Sequence, residues 1–217
     1  LIIERVGTSN WVCNLKNNSP IELNYFVETR EAGVRNSYMD NEYAAFTLSN
    51  LVMLIIEKRY SPHTLRLILP TDWKAHLTLN NVDKVYTALN YDQMVDTPVI
   101  AGKFSTKSFY VRNHLHQLLS IGNPPKGWPV NLITDIQSIC ESACRLMQDS
   151  PPSGNKYIFI IQILDKAYGG LEHDNSTFIQ YNWNKLYSPG GYRKLLQLIG
   201  HEYFHQWNVR RLRPKEH

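Results

Sequence analysis

The chain has 217 residues, 43% of them hydrophobic and 19% charged, enough apolar material for one large core or two modest ones, which excludes a disordered chain. Its net charge of +4 is mildly basic, with the cations dispersed except at Arg210, Arg211, Arg213 and Lys215. No aromatic-and-basic repeat accompanies that cluster, so it reads as a solvated or salt-bridged turn, and no nucleic-acid partner is expected.

The first hundred residues read as β. IELNYFVETR (21–30) alternates Ile21, Leu23, Tyr25 and Val27 against polar neighbours, Phe26 excepted, which is the period of a half-buried strand. AAFTLSNLVMLIIEKR (44–59) is a longer apolar run interrupted at Ser49-Asn50, either two strands or a strand and a turn. HTLRLILP and WKAHLTLN follow, separated by the turn signal Pro70-Thr71-Asp72. Short strands with turns between them suggest an antiparallel sandwich. Its edge is expected in NYDQMVDTPVIAGKF (90–104), where Asp96, Pro98 and Gly102 break the pattern.

From there the texture becomes mixed, and the change of period divides the chain into an expected β domain over 1–100 and a second domain over 101–217. KSFYVRNHLHQLL (107–119) reads as a strand, with His114 and His116 on one side of it and expected at the surface. NLITDIQSICESACRLMQD (131–149) carries Leu132, Ile136, Ile139, Ala143 and Leu146 at helical spacing. Cys140 and Cys144 share one face of that helix and Cys13 is remote, so they read as structural thiols of a reducing compartment, and a cytoplasmic location is expected. KYIFIIQIL (156–164) is a buried strand. No segment approaches the length of a membrane span, and LIIERVGTSN lacks the pattern of a signal peptide, although a chain starting at Leu is compatible with prior trimming.

After KYIFIIQIL comes a loop with Gly169-Gly170 and Glu172-His173, then the strand STFIQY. Two readings stand side by side. Either the glycines let an extended peptide lie against an edge strand while Glu172 receives its amino terminus, or they form a hairpin turn and Glu172 is a solvated charge. His173 either lines that cleft or is hydrated.

A second helix is expected after Ser188-Pro189-Gly190-Gly191, with Tyr192, Leu195, Leu196, Ile199 and Tyr203 as its apolar stripe. It carries HEYFHQWNVRRLRP (201–214). Two histidines four apart on a helix project about 40° apart around its axis, so His201 and His205 can close on one ion. Glu202 then points beside that ion, where it can take a proton from attacking water. Zinc suits such ligands. A five-residue match arises by accident in many helices; against accident stand the independent helix reading, the apolar fillings Tyr203 and Phe204, and the glycine-rich strand upstream.

GGLEH, HEYFHQWNVRRLRP and YDQMVDTPV together resemble the glycyl aminopeptidase family, thermolysin-like zinc peptidases that carry a PDZ domain towards their C-terminus. The resemblance covers essentially the whole chain. It implies an α+β fold: an N-terminal antiparallel β-sandwich followed by the first half of a thermolysin-like mixed α/β catalytic domain. It implies an aminopeptidase that removes glycine or another small residue from peptides with a free amino terminus. His201 and His205 would be zinc ligands and Glu202 the general base. Glu172, within the segment of Gly169, Gly170 and His173, would anchor the substrate's α-amine.

The family's third ligand is a glutamate on the next helix, beyond the twelve residues that follow His205. The chain is therefore expected to be an amino-terminal portion, inactive alone, with zinc partially bound or absent and the remainder, PDZ domain included, supplying the rest. A third ligand from Glu216 or His217 would need a tight return, and no glycine follows His205; Arg211 stands where such a glycine would be. The rival reading is a non-catalytic peptide-binding module of peptidase ancestry, and a weaker one an endopeptidase.

Overall fold

A computed structural model describes residues 3–14, 20–29 and 31–213. Pro214, Lys215, Glu216 and His217 lie outside the described residues, so the expectations placed on Lys215, Glu216 and His217 find no structural counterpart here. Among the described residues no helix is long and apolar enough to cross a membrane.

The amino-terminal part is built from β1 (Ile3–Val6), β2 (Asn10–Cys13), β3 (Tyr38–Met39), β4 (Tyr43–Thr47), β5 (His63–Arg66), β6 (Lys74–His76), β7 (Asn80–Val82) and β8 (Val85–Ala88). A short helix α1 (Tyr91–Asp96) and strand β9 (Pro98–Gly102) complete it. β1 and β2 pair with each other, while the remaining strands form two sheets, β3-β4-β9-β6 and β5-β8-β7. Leu48, Leu77, Leu79, Ala88, Met94 and Val99 fill the core between those two sheets. This is the expected antiparallel sandwich.

Two details differ from the sequence reading. Residues 21–29 form no strand and are almost all exposed, Phe26 completely. A two-residue period specifies a face to bury, not a partner, and the hydroxyl of Tyr25 donating to the Leu51 carbonyl is a side-chain tether, not a ladder. The stretch 90–104, expected as the sandwich's edge, breaks the alternation with ordered structure. Asn90 caps α1 by accepting from the Gln93 N–H, and β9, buried at every residue, lies between β4 and β6.

The second part contains β10 (Thr106–Val111), β11 (His114–Ile121), α2 (Leu132–Met147), β12 (Lys156–Leu164), β13 (Tyr168–Glu172), β14 (Ser176–Asn182), α3 (Trp183–Leu186) and α4 (Gly191–Phe204). Its sheet has the order β10-β11-β12-β14-β13, parallel across β11, β12 and β14 and antiparallel at both edges. β12 is buried on both faces. Tyr157, Phe159 and Ile161 pack under α2 and α4, whereas Ile158 and Ile160 meet Ala45 and Ile100 of the sandwich. Burial on two sides is why KYIFIIQIL lacks polar alternation.

KSFYVRNHLHQLL is not one strand but a hairpin. Arg112 and Asn113 both adopt positive φ, 45° and 67°, the turn that matches the twist of antiparallel strands. On α2 the buried stripe is Leu132, Ile136, Cys140 and Cys144, with all three cysteines unpaired; Leu146 is exposed instead.

His116, expected at the surface, is completely buried. The sheet face that bears it is roofed by α4, which a single strand's alternation does not reveal. Its Nδ1–H donates to the His114 carbonyl at 2.9 Å and its Nε2 accepts from the Tyr203 hydroxyl at 3.0 Å, an arrangement that needs the neutral ring. Burial pushes its pKa down to about 4. The unfolded chain therefore binds a proton below pH 6.5 that the folded chain refuses. Its stability contribution is complete above 6.5 and is lost as pH falls towards 4, by on the order of 3 kcal/mol. Denaturant titrations across this range should show that slope, and His116→Gln should flatten it; an unchanged slope would assign the acid sensitivity to other groups.

Candidate active site

Helix α4 starts where Gly190 takes a left-handed turn at φ 73°, and it buries Leu195, Leu198, Ile199 and Tyr203 against the sheet. Beneath it lies an aromatic floor. Tyr203 contacts the rings of His116, Tyr157, Phe159 and Trp207, with centroids 5.2–5.9 Å away. With Tyr203 facing down, His201 and His205 rise on the opposite side, as helical spacing requires.

The Nε2 atoms of His201 and His205 approach to 3.2 Å. Two nitrogens bound at about 2.1 Å to a tetrahedral zinc ion would lie roughly 3.4 Å apart, so the pair is spaced to share an ion. The Nδ1–H of His205 donates to the Asn208 carbonyl at 2.9 Å, which leaves the Nε2 lone pair free to ligate. Glu202 lies almost fully buried, with its Oε2 lacking a hydrogen-bond partner. Burial raises its pKa, opposed by the nearby His201 and reinforced by Glu172. An orphaned, buried carboxylate oxygen beside two imidazoles spaced for one ion is what a site for a cation and a proton acceptor requires.

The glycine pair is inside β13, at the sheet edge, so of the two sequence readings the structure has the edge strand and not the turn. Gly170 pairs with Ile179, whose side chain faces the helices, and so Gly170 faces α4. A Cβ there would sit 2.6 Å from the Glu202 Cγ and closer still to its carboxyl atoms, whereas a Cβ at Gly169 meets nothing within 4 Å. Glu172, at the end of the strand, joins Glu202 and His205 in a group whose candidate ligand atoms all lie within 4.8 Å.

His173 is buried and turns away to Asp96, its Nδ1 3.5 Å from the Asp96 Oδ1. The cationic turn is salt-bridged, as read: Arg210 donates to Asp174 at 2.7 Å and to Asp96 at 2.8 Å. Arg211, standing where a tight return would need glycine, donates to the carbonyls of Gln206 and Pro152. Asp96, Asp174 and Asn208 had no part in the site in the sequence reading. Asp96 lies in the YDQMVDTPV motif, which is the one signal that pointed to it.

Both ends of the chain are similar to a peptidase family. The family description "Peptidase M61 N-terminal domain" matches residues 1–103, and "M61 glycyl aminopeptidase" matches residues 194–217. A solved structure described as an aminopeptidase N family protein from Idiomarina loihiensis is similar, with 27% identity and a TM-score of 0.78. The likeness covers 87% of this chain and 34% of that one, so the chain spans about a third of its length. No curated protein matches.

Proposed function

We propose that this chain is the amino-terminal portion of a zinc-dependent aminopeptidase that releases glycine or another small residue from peptides with a free amino terminus. The observation that carries the reading is the convergence of His201 and His205 beside the buried, unpartnered Glu202 and the edge-strand Glu172. His201 and His205 would hold zinc. A zinc ion there would lower the pKa of a water molecule and polarise the scissile carbonyl.

The chain's own groups account for the rest. Glu202 accepts a proton from the attacking water and returns it to the leaving amine. Glu172 receives the substrate's α-ammonium. The outer edge of β13, unpaired among the described residues, where Gly169 and Gly170 present no side chain, takes the extended peptide by backbone pairing. The division at about residue 100 into a sandwich and the start of the catalytic domain belongs to this reading. So do a third zinc ligand, a tyrosine for the tetrahedral intermediate and a PDZ domain in the remainder of the enzyme. A cytoplasmic location rests on the cysteine usage.

The test is a longer enzyme carrying this segment, assayed on a glycyl anilide and on its N-acetylated counterpart, with zinc measured in parallel. Stoichiometric zinc and a preference for the free amine of at least about a hundredfold are expected, because a blocked amine leaves Glu172 buried against substrate without its partner. Comparable cleavage of the blocked compound would sink the exopeptidase assignment. Zinc bound without turnover would favour the peptide-binding module.

A further inference from the structure

Three distant segments meet at one carboxylate. Asp96, at the C-terminal end of α1 and within the stretch matched as the N-terminal domain, accepts through Oδ1 from the Arg210 guanidinium at 2.8 Å and through Oδ2 from the Asp174 backbone N–H at 2.8 Å. Its Oδ1 also faces the His173 Nδ1. His173 and Asp174 are the two residues that follow Glu172 in the β13–β14 turn, which is closed by the His173 N–H donating to the Ser176 carbonyl. Arg210 lies five residues past His205; its backbone N–H donates to the His205 carbonyl, and its Nε donates to Asp174.

We infer that Asp96 is a positioning residue for substrate recognition: through Arg210 and the Glu172–Asp174 turn, the amino-terminal sandwich sets where the amine-anchoring carboxylate stands relative to the two histidines. This rests on the aminopeptidase reading. The geometry supports it over a plain domain clamp because the contacts of Asp96 fall on the turn adjoining Glu172 and on the loop that follows His205, and the side chain is four-fifths shielded from solvent. Edge strands and turns are the mobile parts of a sheet, and β13 pairs on one side only among the described residues. Without Asp96, the turn retains Asp174 on Arg210 but loses the anchor that fixes both to the sandwich. A shift near 1 Å at Glu172 suffices to weaken grip on an ammonium group.

The experiment compares wild type with Asp96→Ala in the longer enzyme by three readouts: KM and kcat on a glycyl anilide, zinc content, and hydrogen–deuterium exchange. Asp96→Ala is expected to raise KM about tenfold with kcat within about twofold and zinc unchanged, and to speed exchange at residues 172–175 while α4 stays protected. Where Ala does not fold, Asp96→Asn keeps the shape and one acceptor and is expected to raise KM about threefold. A lower melting temperature with KM and exchange both unchanged would overturn the proposal, leaving a structural contact only. Faster exchange with unchanged KM would overturn it too. A wild type that binds zinc but does not hydrolyse would instead count against the aminopeptidase reading, and the exchange comparison still decides whether Asp96 pins the turn: unchanged exchange overturns it.

Discussion

Glu202→Gln in the longer enzyme is expected to lower kcat by about 10³ to 10⁴ while zinc content and fold are preserved. The amide has the same volume, so it fits the slot beside Gly170 and adds no steric burden. It removes the proton acceptor, and general base catalysis of this kind contributes about 10² to 10⁴; loss of the negative charge facing the cation adds to the effect. Because Oε2 has no hydrogen-bond partner, no neighbour is left unpaired by the change. Kinetics on the glycyl anilide together with metal analysis check this. Activity within tenfold of wild type would remove Glu202 from the base role, and loss of zinc would reassign the defect to the metal site.

Gly170→Ala tests the same carboxylate from the opposite side. The added Cβ would enter the space of the Glu202 carboxyl group, so either the side chain rotates out or β13 backs away from α4. Overpacking of this sort costs about 1–3 kcal/mol, and displacement of the base by about 1 Å is expected to reduce kcat around a hundredfold. Gly169→Ala is the control for stability alone, since nothing lies within 4 Å of its Cβ position and its φ is not of the left-handed kind; its stability should change by less than about 0.5 kcal/mol. Thermal melts of both variants and kcat of Gly170→Ala settle the matter. If Gly170→Ala kept wild-type kcat, the carboxylate would not be working where the fold puts it.

Much of this was legible in the sequence, for reasons that differ element by element. KYIFIIQIL announces a strand buried on two sides because it shows no polar alternation, Gln162 being its single interior interruption, and α4 announces itself by stripe and preceding glycines. The histidine pair is readable because helical geometry alone fixes its convergence. The glycine pair was not decidable locally: whether Gly169 and Gly170 turn or extend depends on β14, whose register places Gly170 opposite Ile179. The part played by Asp96 was hidden for a related reason, since its partners lie 78 and 114 residues away and a sequence motif carries no distances. His116 misled because alternation tells which side a residue takes, not what covers that side. Residues 21–29 misled in the opposite sense, showing alternation where no neighbouring strand among the described residues offers a ladder.

The ring floor under α4 has a consequence for how the site ages and fails. Tyr203 and Trp207 alternate along the chain with His201 and His205, so the histidine face and the floor-gripping face belong to the same two turns of backbone. Neither face can shift alone. A blow to the floor, such as a cavity opened at Phe159 or Tyr157, is transmitted to the face bearing His201 and His205 through one rigid lever and not through a flexible linker. The histidine pair accordingly inherits the stiffness of the sheet, and its vulnerability lies in the packed underside, away from its solvent-facing side.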